Sequence, residues 1–507
     1  MPPSADELIP PNHLVRVVSR TIDEMDLEPL LKTYAKGGGA SRFHPIMMFK
    51  VFVYGYMTRV FSSRMLAKAL RENVMFMWLS GGQTPDFRTL NTFRSSKLKD
   101  AMDEVFMATV KLLAAKGYVK LENYFVDGTK IESAANKYSF VWKRGIDTNE
   151  RKLDEKLRAF ISEVERVARD ENAEYGDRDL EELGEQSTFT PEDVAKLAAV
   201  LNKRLSALET NKTAPDVKKK LKKDLRKVES DFLPRKRKYK AQRDILGERK
   251  SYSKTDHDAT FMRMKEDHMR NGQLKPGYNV QIGTENGFVL GYDIFPNPTD
   301  TRTLKPHLEN MRRRLGRLPT RVIADAGYGS EENYAYLEEN NVDAIVKDGT
   351  FHRAGKRSWR GDPLNTDNWQ YDPASDSYTC ADGRRLVFVR SVRRETEGGY
   401  AQSLRLYSCE SCEGCPLRDK CTRSQGNRTI QRNDEMRRLR EKAHARLLSE
   451  DGKALRKRRA VEVETVFGET KANQVFRRFR LKGNRKVAVE WGLLMIGYNI
   501  KRTKLQT

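Results

Sequence analysis

The chain has 507 residues, 95 of them lysine or arginine and 71 aspartate or glutamate, for a formal net charge of +24. That length implies two to four domains, and the positive balance points to a polyanionic partner, nucleic acid first. No apolar run reaches the roughly eighteen residues of a membrane span, the N-terminus lacks the pattern of a secretory signal, and five cysteines make no disulfide scaffold, so a cytoplasmic location is expected.

Residues 1–118 read as a helical domain. His44 to Val60 is apolar nearly all round, the mark of a buried helix. Ser62 and Ser63 are placed to cap a second helix, and Asp86 a further one. Short capped helices suit a helix-turn-helix DNA reader, with plain helical packing as the other reading. Tyr124 to Asp127 reads as a short buried strand ending in a turn, so residues 119–142 open an α/β core. Residues 143–250 are charged with helical periodicity and read as a helical insertion. In its basic end Tyr239 and Pro234 interrupt the cations, which form either a solvated face or a surface tracking a DNA backbone.

Residues 251–347 return to the core. From Gly277 the period is two, with a hairpin turn at Glu285-Asn286-Gly287. A helix, a strand closing at Asp325, a second helix and a strand follow, an α/β pattern with a mixed sheet. Residues 348–430 read as a Cys-rich insertion, irregular over 348–425, which hold all five cysteines. Residues 431–507 read as helical: one long or broken helix over 433–475, then an amphipathic helix with Val487, Trp491, Leu494 and Tyr498 on one side.

Asp127 and Asp325 each close an apolar strand, at the sheet rim where α/β proteins place chemistry. A turn residue or helix cap is the commoner role of such an aspartate. Glu464, Phe467, Gly468 and Lys471 share one face of a helix, and Arg477, Arg478, Arg480 and Lys482 follow. An acid and a lysine beside clustered cations suit a phosphodiester held near a metal and bound to DNA; a solvated helix is the plain alternative. Glu462 points about 200° round from Glu464. Three carboxylates suit two Mg²⁺ (or Mn²⁺) ions about 3.5–4 Å apart, with Asp127 bridging and Asp325 and Glu464 holding one each.

Cys409, Cys412, Cys415 and Cys421 follow C-x2-C-x2-C-x5-C, the spacing of a structural Zn²⁺ site, with Cys380 able to replace one of them. An iron–sulfur cluster and reduced, metal-free cysteines are the other readings. Asp256, His257, Asp258 and His268 serve either substrate positioning or structure. Trp142 reads as a core or interface residue ahead of a base-stacking one.

Four strings carry a resemblance: YFVDGTKIESAANKYSFVWK, SYSKTDHDATFMRMKEDHMRNGQLKPGYNVQIGTEN, VIADAGYGSEENY and VEVETVFGETKANQVFRRFRLKG. With the N-terminal stretch RFHPIMMFKVFVYGY to TLNTFR, they resemble the DDE transposases of bacterial insertion sequences, in particular the insertion sequence eleven-eighty-two type, of the ribonuclease-H-like (retroviral-integrase) superfamily. The resemblance implies an α/β, ribonuclease-H-like mixed-sheet catalytic core with an N-terminal helical domain, a helical insertion and a Cys-rich insertion. It puts the catalytic acids at Asp127, Asp325 and Glu464, with Lys471 at the expected seven residues beyond. The arginine expected four residues before Glu464 is Ala460, with Arg459 beside it, while Arg458 has that spacing to Glu462. The implied reaction is metal-dependent cleavage at the element's ends and attack of the freed 3′-hydroxyls on target DNA. Double-stranded DNA is the implied partner, met by a dimer or larger synaptic assembly. A domesticated or inactive sequence-specific DNA-binding protein, and a nuclease that never joins, are the rival readings.

Overall fold

The computed structural model describes residues 3–34, 42–171, 186–210, 215–264 and 272–504; His268 lies outside them. The chain forms two compact units, Met1–Glu132 with Tyr278–Thr507, and Ser133–Gly277. It is α/β with a mixed sheet, the ribonuclease-H-like class, and has a helical N-terminus. No helix among the described residues is long and apolar enough to cross a membrane.

In the first unit the sheet is built from β1 (Asn123–Glu132), β2 (Leu274–Glu285), β3 (Phe288–Phe295), β4 (Arg321–Ala324) and β5 (Asp343–Val346). Its order is β3-β2-β1-β4-β5. β1, β4 and β5 are parallel, and β2 and β3 form an antiparallel hairpin. The hairpin turns at Asn286 and Gly287, with φ of 53° and 75°, the conformation an Asn-Gly pair adopts with little strain. β1 does not end at Asp127, as the apolar run suggested, but continues to Glu132. The apolar residues mark only the part of β1 flanked by β4.

Six helices matter for the site: α1 (Pro45–Met57), α2 (Leu98–Ala115), α3 (Glu331–Glu339), α4 (Asp434–Leu448), α5 (Glu450–Gly468) and α6 (Asn484–Lys504). Asp86 caps its short helix as expected, accepting from the Thr89 N–H at 2.7 Å. The single long helix expected over 433–475 is broken at Ser449, whose hydroxyl accepts from Gly452 N at 3.1 Å and caps α5. The expected amphipathic tail is instead buried on every side from Val489 to Ile500. α6 packs against α1, α2 and β3 at once, so no face is left for solvent. Such close packing requires small residues: a Cβ on Gly492 would lie 2.4 Å from Tyr292 Oη, and one on Gly497 2.6 Å from Met57 Cγ. Asn499 completes the contact through its amide, accepting from Val289 N and donating to Val289 O, each at 2.8 Å. The outward backbone N–H and C=O of Val289 on β3 are thereby satisfied.

Residues 348–425, expected to be irregular, hold four strands of a five-stranded antiparallel sheet, Gln370–Asp372, Ser377–Thr379, Arg385–Glu395 and Ala401–Cys409, which Thr429–Arg432 completes. Three of the strands are short and Arg385–Glu395 is largely exposed, so they carry little apolar alternation for a sequence reading to find.

The second unit contains the expected helical insertion: Lys143–Glu171, Pro191–Thr210, Pro215–Lys227 and Leu233–Leu246, around a core that includes Leu153, Leu157, Leu201 and Phe232. Tyr239, read among the DNA-facing cations, belongs to that core. Lys236 is also buried, 2.5 Å from Asp154 and 3.3 Å from Glu150.

The entry to β1 rests on one side chain. Glu285 accepts backbone N–H groups from Lys120, Leu121, Glu122 and Asn123, at 2.6–2.9 Å. Glu285→Ala is expected to cost about 3–4 kcal/mol, because four donors then lose a charged acceptor. Urea denaturation of the full chain measures it.

Candidate active site

The register of the parallel pair β1 and β4 builds the site. Asn123, Tyr124 and Phe125 pair with Arg321, Val322 and Ile323. Carried two residues further, the same pairing brings Asp127 beside Asp325. β4 has ended by then, and Asp325 caps a short 3₁₀ turn, Ala326–Tyr328, accepting from Gly327 N at 2.8 Å. Asp127 accepts from Gly128 N at 2.8 Å. Two neighbouring carboxylates repel, and a cation from α5 offsets this. Arg459 Nη2 lies 2.9 Å from Asp127 Oδ2 and 3.5 Å from Asp325 Oδ2.

A third aspartate, absent from the sequence reading, borders the pair. Asp300 Oδ1 accepts from Asn279 Nδ2 at 2.8 Å and Gln281 Nε2 at 2.9 Å, side chains that share one face of β2. Both Asp300 and Asp325 reach the space over Gly327, where a Cβ would meet their carboxylate oxygens at 3.5 and 3.0 Å. The buried Tyr328 donates its hydroxyl to Gln281 Oε1. Burial first, then the charges of Asp300, Asp127 and Asp325, raise this phenol well above its ordinary pKa, so it remains a donor. Burial, then Arg459 and Arg456, lower the Lys347 ammonium. Asn279 and Gln281 stood inside a family-like string, but nothing in their spacing tied them to Asp300.

On α5 the structure separates the two glutamates. Glu462 is buried, accepting from Gly287 N at 2.5 Å and from Arg458 Nε at 2.9 Å. Arg458 also donates to Asn286 Oδ1. Glu462 is therefore an anchor to the β2–β3 turn, and its spacing to Arg458 is that of an i,i+4 ion pair. Glu464 is exposed and stands about 140° round the helix from Arg459. The face expected to join Glu464 to Lys471 is interrupted, because a π-helical turn, Glu469–Asn473, follows Gly468. Lys471 is buried there. Beyond it Phe476 and Phe479 turn inward while Arg477, Arg478, Arg480 and Lys482 are exposed; Arg480 lies over the Phe61 ring.

The remaining candidates are structural in their contacts. Asp256 is buried and accepts from Ser133 Oγ, His257 packs edge-on against Tyr252, and Asp258 is exposed. Trp142 packs with Phe140 and Phe261. Cys409, Cys412, Cys380 and Cys421 gather in the small sheet's core. Cys409 donates to Ser411 O at 3.3 Å and Cys412 Sγ accepts from Arg428 N at 3.2 Å. Burial, then Cys412, push the Cys409 thiol up to about 11. Among the described residues no three His, Cys, Asp or Glu side chains form a group able to hold a metal ion. The Zn²⁺ expected at Cys409, Cys412, Cys415 and Cys421 therefore finds no support in the geometry.

Gly128 decides how close Asp300 and Gln281 come. A Cβ there would lie 2.2 Å from Gln281 Nε2 and 2.6 Å from Asp300 Oδ1. Gly128→Ala is expected to cost about 1–3 kcal/mol by overpacking and to displace the neighbouring Asp127; thermal unfolding and a crystal structure of the variant test both.

With this geometry established, two family models match the chain: a transposase DDE domain over residues 379–504 and a transposase domain over residues 3–96. The first contains Arg459, Glu464 and Lys471; the second contains α1. No curated protein and no solved structure matches. Over those two stretches the chain is similar to DDE transposases of the bacterial insertion-sequence kind.

Proposed function

We propose that this chain is a transposase that cleaves the ends of an insertion sequence and transfers the 3′-hydroxyl ends to target DNA, with Asp127 and Asp325 as its metal-holding carboxylates. The observation that carries the reading is the aspartate pair drawn around one cationic nitrogen. Arg459 Nη2 stands where a cation is needed, and an all-oxygen donor set suits Mg²⁺ or Mn²⁺. The residues thus fit a hard divalent ion. Bound there, such an ion would activate the attacking oxygen and stabilise the leaving one.

The surrounding residues have roles that follow from their contacts. Gly128 and Gly327 N–H groups orient the two aspartates. Asn279, Gln281 and Tyr328 fix Asp300 beside them. Arg459 is the proposed holder of the scissile phosphate, a task suited to a guanidinium. Arg477, Arg478, Arg480 and Lys482 are the proposed backbone contacts, since the inward Phe476 and Phe479 turn them to solvent. Glu464 is the proposed third carboxylate on family spacing alone. Two ends must be joined, so a dimer or larger assembly is proposed, in a cytoplasmic setting and of the insertion sequence eleven-eighty-two type.

The test uses a plasmid carrying the DNA that flanks the coding sequence, labelled at its 3′ ends, in Mg²⁺. Wild type is expected to give cleaved and joined products. Asp127→Asn, Asp325→Asn and Glu464→Gln are expected to lose about a thousandfold or more, the loss of several kcal/mol of charge stabilisation. Glu462→Gln is expected to lower stability instead. Binding without cleavage would favour a DNA-binding derivative, and cleavage without joining a nuclease.

A further inference from the structure

The two long strands of the small sheet, Arg385–Glu395 and Ala401–Cys409, outrun their neighbours. Ser377–Thr379 pairs only with Arg385–Val387, and Thr429–Arg432 only with Arg405–Ser408. From Val392 and Leu404 to the tip the two strands stand alone, in regular register. Side chains alternate between the faces. Val392, Leu404 and Gln402 lie on one face with Arg394, and Gln402 donates to the buried Glu331 at 2.6 Å, so this face is turned to the body. The other carries Ser391, Arg393, Glu395, Ala401, Ser403 and Arg405. All but Arg405 are exposed, and none is a large apolar residue. Arg390 and Arg394 are exposed as well, but by the same alternation they belong to the first face.

The tip is tied to the segments that follow Asp300 and Asp325. Glu397 pairs with Arg302 at 3.3 Å, two residues after Asp300, and Tyr400 and Gln402 both contact Glu331, at the start of the helix that follows Asp325. A two-stranded ribbon is one of the two elements that the DNA major groove admits. Small residues let its backbone approach, and arginines supply charge complementary to phosphate.

We infer that the outward face of this ribbon is a duplex-DNA contact surface that places DNA alongside Asp127 and Asp325. The inference rests on the reading of the chain as one that acts on DNA. It is tested on the full chain by anisotropy of a labelled duplex over a salt series. The variant Arg393→Ala is expected to lower the log K against log salt slope by about 1 and to weaken binding about threefold or more, with unchanged circular dichroism. Arg393→Lys is expected to keep the slope. Unchanged slope and affinity in the alanine variant would overturn the ribbon surface while leaving the proposed function standing; so would a change only in sedimentation, which would make the ribbon a contact between copies. Absence of any DNA binding by wild type would overturn both. If the alanine variant fails to fold, Ser403→Arg serves: a slope raised by about 1 supports the surface, and an unchanged slope overturns it.

Discussion

Three consecutive residues, Glu285, Asn286 and Gly287, hold the first unit in register. The Glu285 carboxylate gathers the four N–H groups at the entry to β1. Asn286 receives Arg458, and its carbonyl receives Arg502 from α6. Gly287 donates to Glu462. One turn thus fixes where β1 begins, how α5 is rotated and where α6 ends. Its positive φ values are what an Asn-Gly pair tolerates, so a sequence feature two residues long sets the geometry of elements more than 150 positions away, by the numbering of the contacts it makes.

From that constraint the aspartate pair follows. β1 enters at a fixed point, its parallel pairing with β4 sets Asp127 against Asp325, and α5 is rotated so that Glu462 faces the turn and Arg459 the carboxylates. Val463 packs with Phe125, Ile323 and Ile345 beneath the strands and keeps the helix seated. The pair is an unfavourable arrangement unless a cation is present. Such local conflict, maintained by an otherwise consistent fold, is where function is expected.

Much of this was legible in the sequence, for physical reasons. The apolar runs ending at Asp127 and Asp325, the Asn-Gly turn and the period change at Gly277 all reflect local rules. Asp127 and Asp325 stand out in the sequence because an acid after an apolar strand is a local signal. Asp300 does not, since what marks it is contact with Asn279 and Gln281, about twenty residues away and across a turn. α6 was misread as amphipathic because its polar residues, Glu490 and Asn499, are buried with partners of their own. The π turn after Gly468 has no local signature, so the change of helical period between Glu464 and Lys471 is not legible in their seven-residue spacing. The small sheet escaped notice because its strands face solvent, although the Gly398-Gly399 turn signal was there.

The most direct measurement is Mn²⁺ binding to the full chain without DNA, followed by electron paramagnetic resonance. Wild type is expected to bind Mn²⁺ at a site that Asp127→Asn and Asp325→Asn each remove, with both variants folded. Unchanged Mn²⁺ binding in both variants would contradict the assignment of the aspartate pair as the metal-holding centre.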